Sequence, residues 1–457
     1  MKKEFLKFAT YVLLEKVIRL DSYLEEIRKE ADIKNMNIIS AFSSIVETYK
    51  DGISKRIIPF LEKSDELEEW DTLNAFTRLL TLCQDFKVDH ESLRWVYTPW
   101  ASKECYIFLS ELLEKKISEK THCQYGNIFF TEEYNFWCHK VHEDMKGVPE
   151  KTRSIVWILP KIEKNNPLMW PMLIHEIGHT ISDEYNITDK SYKSLSESSQ
   201  KSLSVKQKEV LYNWAREISA DLIALKFLGP AYLYALISFA SVFINNNLNE
   251  PSEIHPSPTF RVFFLLEKLK DMGMDYTKPL FEPLNYMVDL FNGRKQLDAA
   301  DRKLFFKEDW PEHFPSDDMA YKISQEIYKC QDEIPISPIS INNYNNSLLL
   351  VKDKLNHEIL ISSMNKSKQK NKEEKIQITN DNMNHYFDLL NEEPCTVGEI
   401  INAGCVYHIS NIKMGHRHLT LFSKEFVKQY ESYLKTLDDI LLKSLEISVI
   451  HSFYSQK

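Results

Sequence analysis

The stretch from Trp170 to Tyr185, WPMLIHEIGHTISDEY, sets His175 and His179 four positions apart, with Glu176 beside the first. On a helix, positions i and i+4 lie one above the other on one face, so the two imidazoles point the same way. At this spacing they can give two nitrogens to one Zn²⁺ at about 2.0–2.1 Å. Glu176 is offset around the helix, where it can take a proton from an attacking water without itself binding the metal. The competing reading is two surface or core histidines at helical spacing by coincidence. A run of this type arises by accident in such a chain with a probability on the order of a few per cent.

A hydrolytic zinc site takes three protein ligands and keeps one position open. A second helical segment, SVKQKEVLYNWAREISADLIALKFL, has an apolar stripe of Val210, Trp214, Ile218 and Leu222 and is ended by Gly229-Pro230. It carries Glu217 and Asp221, again four apart on one face. Acids on the buried side of a helix are costly unless paired or metal-bound. Glu217 can supply a third ligand, and Asp221 can accept a hydrogen bond from the far nitrogen of a ligand histidine and fix its tautomer. The alternative is a solvated acidic stripe paired with Arg216.

With both segments in view, the chain resembles the gluzincin zinc metallopeptidases, the thermolysin-like group. Their pattern is HExxH followed downstream by ExxxD, here His175-Glu176-Ile177-Gly178-His179 and Glu217-Ile218-Ser219-Ala220-Asp221. The resemblance covers about residues 125 to 265. It implies Zn²⁺ held by His175, His179 and Glu217, with Glu176 as general base, Asp221 behind His175, and a protein or peptide as substrate. Many gluzincins carry a downstream histidine that hydrogen-bonds the oxyanion of the tetrahedral intermediate. His255, in HPSPTFR, is the candidate, unless HPSP is only a structural turn; Arg261, one turn into the next helix, could brace the loop or the metal-site carboxylates. In this family a sheet edge beside the zinc pairs with the extended substrate. SIVWILP, about ten residues before the metal helix, fits that part, although a buried strand would have the same sequence.

The chain departs from thermolysin in two ways. Arg216 stands where thermolysin has an asparagine before the ligand glutamate, and the gap between the motifs is longer, with Lys190–Gln207 read as a loop insertion. Metzincins need a third histidine soon after the second, and TISDEYNITDK holds none. A deformylase-like site needs a cysteine in a Gly-Cys-Leu setting, which is absent. His139 and His142 have no evident third ligand and read as structural or solvated.

The rest of the chain must position these groups. Its 457 residues suffice for two or three domains around a large core. Residues 1 to about 120 contain only Gly52 as a glycine and show helical periodicity over Phe5–Glu30, Asn37–Glu62 and Leu73–Gln84. GNIFFTEEYNFWC and RSIVWILP, bounded by Gly126 and Pro160, predict at least two short strands. Asn166-Pro167 or Pro171 can start the metal helix, and Ser257-Pro258 can start the helix over TFRVFFLLEKL. Residues 362–377, SSMNKSKQKNKEEKIQ, read as a flexible linker or exposed loop. The expected fold is a predominantly α-helical α+β protein with a zincin-like catalytic core and a small sheet. Its expected parts are an N-terminal helical domain (1–120), the core (121–290), a helical extension (291–361), the linker (362–377) and a C-terminal helical module (378–457).

Charge and cysteine usage narrow the classes. The net charge of −10, from 57 basic and 67 acidic side chains, argues against a nucleic-acid groove. Seven cysteines with no CxxC pair argue against a disulfide framework or a cysteine zinc site. Glu4, Lys7 and Glu15 interrupt the N-terminal apolar run, which reads as an amphipathic helix and not a signal peptide. The run from Ala231 to Ile244 is shorter than the about 20 residues that span a bilayer. The expectation is a cytoplasmic zinc-dependent endopeptidase acting on a specific intracellular protein, with no nucleic-acid or membrane partner. The alternative is a non-catalytic interaction or regulatory protein with a metal-stabilised zincin-like core. Glu176 favours the enzyme, because a structural site would use four protein ligands and need no adjacent base.

Overall fold

Glycine-poor segments with apolar residues three and four apart fold as helices throughout the computed structural model. It describes residues 2–30, 36–58, 61, 69–91, 125–131, 136–140, 155–195, 203–243, 247–305, 314–353, 396–413 and 424–454. Three helices come first: α1 (Lys2–Glu30), α2 (Met36–Gly52), which runs on into a π turn, and α3 (Glu69–Glu91). Three strands follow: β1 (Tyr125–Thr131), β2 (Trp137–Lys140) and β3 (Ile155–Pro160). Next come α4 (Pro171–Glu184), α5 (Ile187–Ser194), α6 (Val205–Leu228), α7 (Pro230–Phe243), α8 (Pro258–Asp271) and α9 (Glu282–Phe305). The remaining helices are α10 (Asp317–Cys330), α11 (Ile341–Asp353), α12 (Val397–Lys413) and α13 (Lys424–Tyr454). The described chain is mostly helical.

The strands form one sheet in the order β1-β3-β2, with β3 parallel to β1 and antiparallel to β2. This corrects the expectation that SIVWILP offers a free edge to substrate. Ile158 pairs with Phe129 on one side and Trp137 on the other, so β3 is the central strand. The backbone leaves β3 through a 3-10 turn, Lys161–Glu163, and reaches α4 a few residues later.

A second correction concerns Lys190–Gln207. Lys190 to Ser194 belong to α5, and Gln207 lies in the first turn of α6, while residues 196–202 lie outside the described residues. Asn186, in the left-handed region at φ 52°, ends the turn after α4 and starts α5. Ile187, Ser191 and Leu195 recur every four residues and are buried, so a polar-looking stretch has a helical inner face.

One cluster of buried side chains runs from Phe5 in α1 to Leu445 in α13. The expected division at residue 290 falls inside α9, and the expected linker over 362–377 lies outside the described residues. Charged groups of α1 join the two ends of the chain within this core. Lys16 Nζ lies 2.7 Å from Glu163 Oε1, Arg19 makes a two-pronged ion pair with Asp438 of α13, and His408 Nε2 of α12 lies 3.3 Å from Glu15. Such buried charges fix geometry, because separating any one pair would leave an uncompensated charge. Among the described residues no helix is long and apolar enough to cross a membrane, and α7 is a core helix.

Candidate metal centre

Pro171 opens α4 at its first position, where the missing N–H costs nothing. Leu173, Ile177 and Ile181 are fully buried and hold the helix with His175 and His179 turned toward α6. That partner helix starts with a capping box, in which the Ser204 hydroxyl accepts from the Gln207 N–H and the Gln207 side chain accepts from the Ser204 N–H. Val210, Trp214, Ile218 and Leu222 are buried, as their stripe predicts. The two helices touch closely at Gly178, the residue before His179. A Cβ there would stand 2.8 Å from Ala220 O and 2.9 Å from Ala220 Cα.

This contact brings the motifs together. Nε2 of His175 lies 3.3 Å from Glu217 Oε2, and Nε2 of His179 lies 3.4 Å from Glu217 Oε1. One ligand atom from each of His175, His179 and Glu217 falls within 4.8 Å of the others. The imidazoles meet edge to face, with centroids 4.8 Å apart. Glu217 and Asp221 are buried, which removes the reading of a solvated stripe; Arg216 is exposed and approaches Asp183 instead.

Asp221 is fully buried behind His175. Its Oδ1 lies 2.9 Å from His175 Nδ1, and Arg261 of α8 grips the carboxylate with two hydrogen bonds of 2.8 and 2.6 Å. Arg261 thus braces a carboxylate of the site, one of the two roles the sequence left open. Tyr232, early in α7, donates to Asp221 Oδ1, and its hydroxyl is also 3.2 Å from His175 Nδ1. Its ring is nearly parallel to that of His175, 7° between planes.

His255 reaches the same centre from the loop before α8. Its side chain is half exposed, and Nε2 is 3.4 Å from Glu217 Oε2. The loop is built to present it. Ser252 Oγ accepts from the N–H groups of Ile254 and His255, and Ser252 O accepts from Trp214 Nε1 at 2.8 Å. Lys206 and Asn213 of α6 hold Glu253 by its carboxylate and carbonyl.

The electrostatics follow from these contacts. Burial works against protonation of His175, but Asp221 and Glu217 outweigh it and push the imidazole up to about 10. Burial likewise opposes ionisation of Asp221 and Glu217. Arg261 and His175 nevertheless hold Asp221 below its ordinary range, and the two histidines hold Glu217 well below its own. Burial raises the Glu176 carboxyl, against the pull of His175 and His179.

The donor set fits Zn²⁺. Two imidazole nitrogens and one carboxylate converge, with the far nitrogen of His175 already engaged. Glu217 Oε2 is buried and faces His175 Nε2 and His255 Nε2 at 3.3 and 3.4 Å without a well-aligned hydrogen bond to either, an arrangement that suits a shared cation. No protein-family model, curated protein or solved structure matches the chain.

Sequence reasoning missed Gly178, Tyr232, Ser252 and the clamp on Glu253. Gly178 carried a signal, since a mid-helix glycine costs about 1 kcal/mol relative to alanine and needs a packing reason. Tyr232 carried only a hydroxyl, which Tyr234, Ser238 and Ser241 of the same helix share. The side chain of His139 and all of His142 lie outside the described residues.

Proposed function

We propose that the chain is a zinc-dependent peptidase whose zincin-like core comprises the sheet, α4, α6 and the start of α8. The observation that carries this reading is the convergence of His175 Nε2 and His179 Nε2 on Glu217. In it, His175, His179 and Glu217 hold the ion. Bound Zn²⁺ supplies Lewis acidity toward the scissile carbonyl and toward water. Glu176 accepts the proton of the attacking water at its carboxylate and passes it to the leaving amine nitrogen. A carboxyl raised by burial is the stronger base for that transfer. His255 donates from Nε2 to the developing oxyanion, and Asp221 with Arg261 keeps His175 oriented. The substrate in this proposal is a specific protein, a reading supported by the large helical surround of a small site.

The test compares protein termini in cells expressing wild type and Glu176→Gln. Glutamine is nearly isosteric but cannot accept the proton. New termini that depend on Glu176 are the expected result. Identical termini, with zinc bound in both proteins, would instead support a non-catalytic metal-stabilised protein.

A further inference from the structure

The hydroxyl of Tyr232 is fully enclosed and lies between two groups of the metal centre. It is 2.5 Å from Asp221 Oδ1 and 3.2 Å from His175 Nδ1, while Nδ1 is itself 2.9 Å from the same Oδ1. The three polar atoms therefore form a closed triangle. A phenol has one proton to give. A carboxylate offers only lone pairs, so that proton goes to Asp221 Oδ1, leaving the phenol oxygen with only lone pairs to offer His175 Nδ1. Both neighbours of Nδ1, the phenol oxygen and the carboxylate oxygen, are then acceptors. A ring with its Nδ1 bare would face two sets of lone pairs in a buried site. A ring with N–H at Nδ1 satisfies both, and its remaining lone pair lies at Nε2, the atom facing Glu217.

The ring of Tyr232 lies 7° from parallel with the His175 imidazole, with centroids 6.3 Å apart. Tyr232 is well anchored. It sits in the first turn of α7, just beyond Gly229, whose N–H bonds Leu225 O at 2.7 Å and whose φ is +55°. That turn fixes α7 against the end of α6, and so fixes Tyr232 relative to Asp221, two turns back on α6.

We infer that Tyr232 is a positioning residue of the metal centre: by donating to Asp221 and accepting from His175 Nδ1, it selects the tautomer of His175 that presents Nε2 to the ion. Asp221 alone would permit His175 to rotate about its contact with one oxygen. Arg261 bonds both carboxylate oxygens, Oδ2 through Nε and Oδ1 through Nη2, and so holds the carboxylate but offers His175 Nδ1 no acceptor of its own. Tyr232 is thus the second acceptor that closes the choice. This inference rests on the metal-site reading above.

The test measures zinc affinity by chelator competition in wild type, Tyr232→Phe, Asp221→Asn and the double variant, with thermal melting of each metal-free protein. Phenylalanine keeps the ring and leaves Asp221 Oδ1 paired with Arg261 and His175, so the metal-free fold should be kept. Tyr232→Phe is expected to weaken zinc binding about tenfold, the lower end for groups that orient a ligand. It should have little further effect once Asp221 is asparagine, because the two groups act on one nitrogen. A Tyr232→Phe affinity within twofold of wild type would overturn the inference while leaving the metal site standing. So would strictly additive losses in the double variant, or a loss that only follows a lower metal-free melting temperature. Absence of zinc binding in wild type would overturn the metal-site reading, and the inference with it.

Discussion

In an ordinary helix interior, replacing glycine with alanine stabilises by about 1 kcal/mol. Gly178→Ala should do the opposite. The new Cβ would stand 2.8 Å from Ala220 O, 2.9 Å from Ala220 Cα and 3.2 Å from Ala220 C. All three are backbone atoms of α6 and cannot rotate aside. Carbon atoms in favourable contact sit about 3.5–4.0 Å apart, so α4 and α6 must separate by roughly 0.6 Å or more. Overpacking of this type costs about 1–3 kcal/mol; set against the gain of about 1 kcal/mol in helix propensity, it leaves a net loss of up to about 2 kcal/mol. The same separation moves His175 and His179 away from Glu217. Ligand distances tolerate only about ±0.2 Å, so zinc affinity should fall by about tenfold or more. Melting curves of the metal-free and zinc-loaded protein, with chelator competition, read both effects. If Gly178→Ala melted higher than wild type and bound zinc as tightly, the close approach of the helices would not be what assembles the site.

Other outcomes follow from the same contacts. Asp221→Ala should weaken zinc binding by about 10–100-fold although no ligand is removed, and an unchanged affinity in chelator competition would make Asp221 an ordinary buried acid. His255→Ala should lower turnover by about 10²–10³ with zinc content intact and the Michaelis constant little changed; near-normal turnover would reduce His255 to a loop residue. His175, pushed up to about 10 without metal, carries a proton at neutral pH that zinc must displace. Calorimetry in buffers of different ionisation heat should therefore detect proton release, and its absence would refute the paired state of His175. That folded value lies above the unfolded one of about 6.5. The contribution of His175 to metal-free stability is thus complete below about pH 6.5 and is lost as pH rises through about 10. Metal-free melting temperatures should fall over that window, and less so in His175→Gln.

The residues of the candidate site were legible because helical spacing is a local property. His175 with His179, and Glu217 with Asp221, each share a helix face whatever the tertiary fold, and the buried stripes of both helices fix which way those faces turn. The Ser257 cap and the Gly229 stop were equally local. What depended on partners was not legible. Gly178 reads as a weak point in a helix until Ala220 stands against it. Tyr232 reads as core until Asp221 and His175 meet its hydroxyl. The apolar run of β3 is compatible with an edge or a centre, and only the pairing with β1 and β2 decides. In α5, lysines and serines outweighed the buried repeat of Ile187, Ser191 and Leu195, so composition pointed to a loop.

The central claim is a single zinc ion held by three side chains from two helices. It is tested most directly by metal analysis of the purified protein after equilibration with zinc and removal of the excess. Wild type should retain about one zinc per chain, and His179→Ala and Glu217→Ala, folded by circular dichroism, should retain almost none. Unchanged zinc content in either folded variant, or none in wild type, would contradict the account.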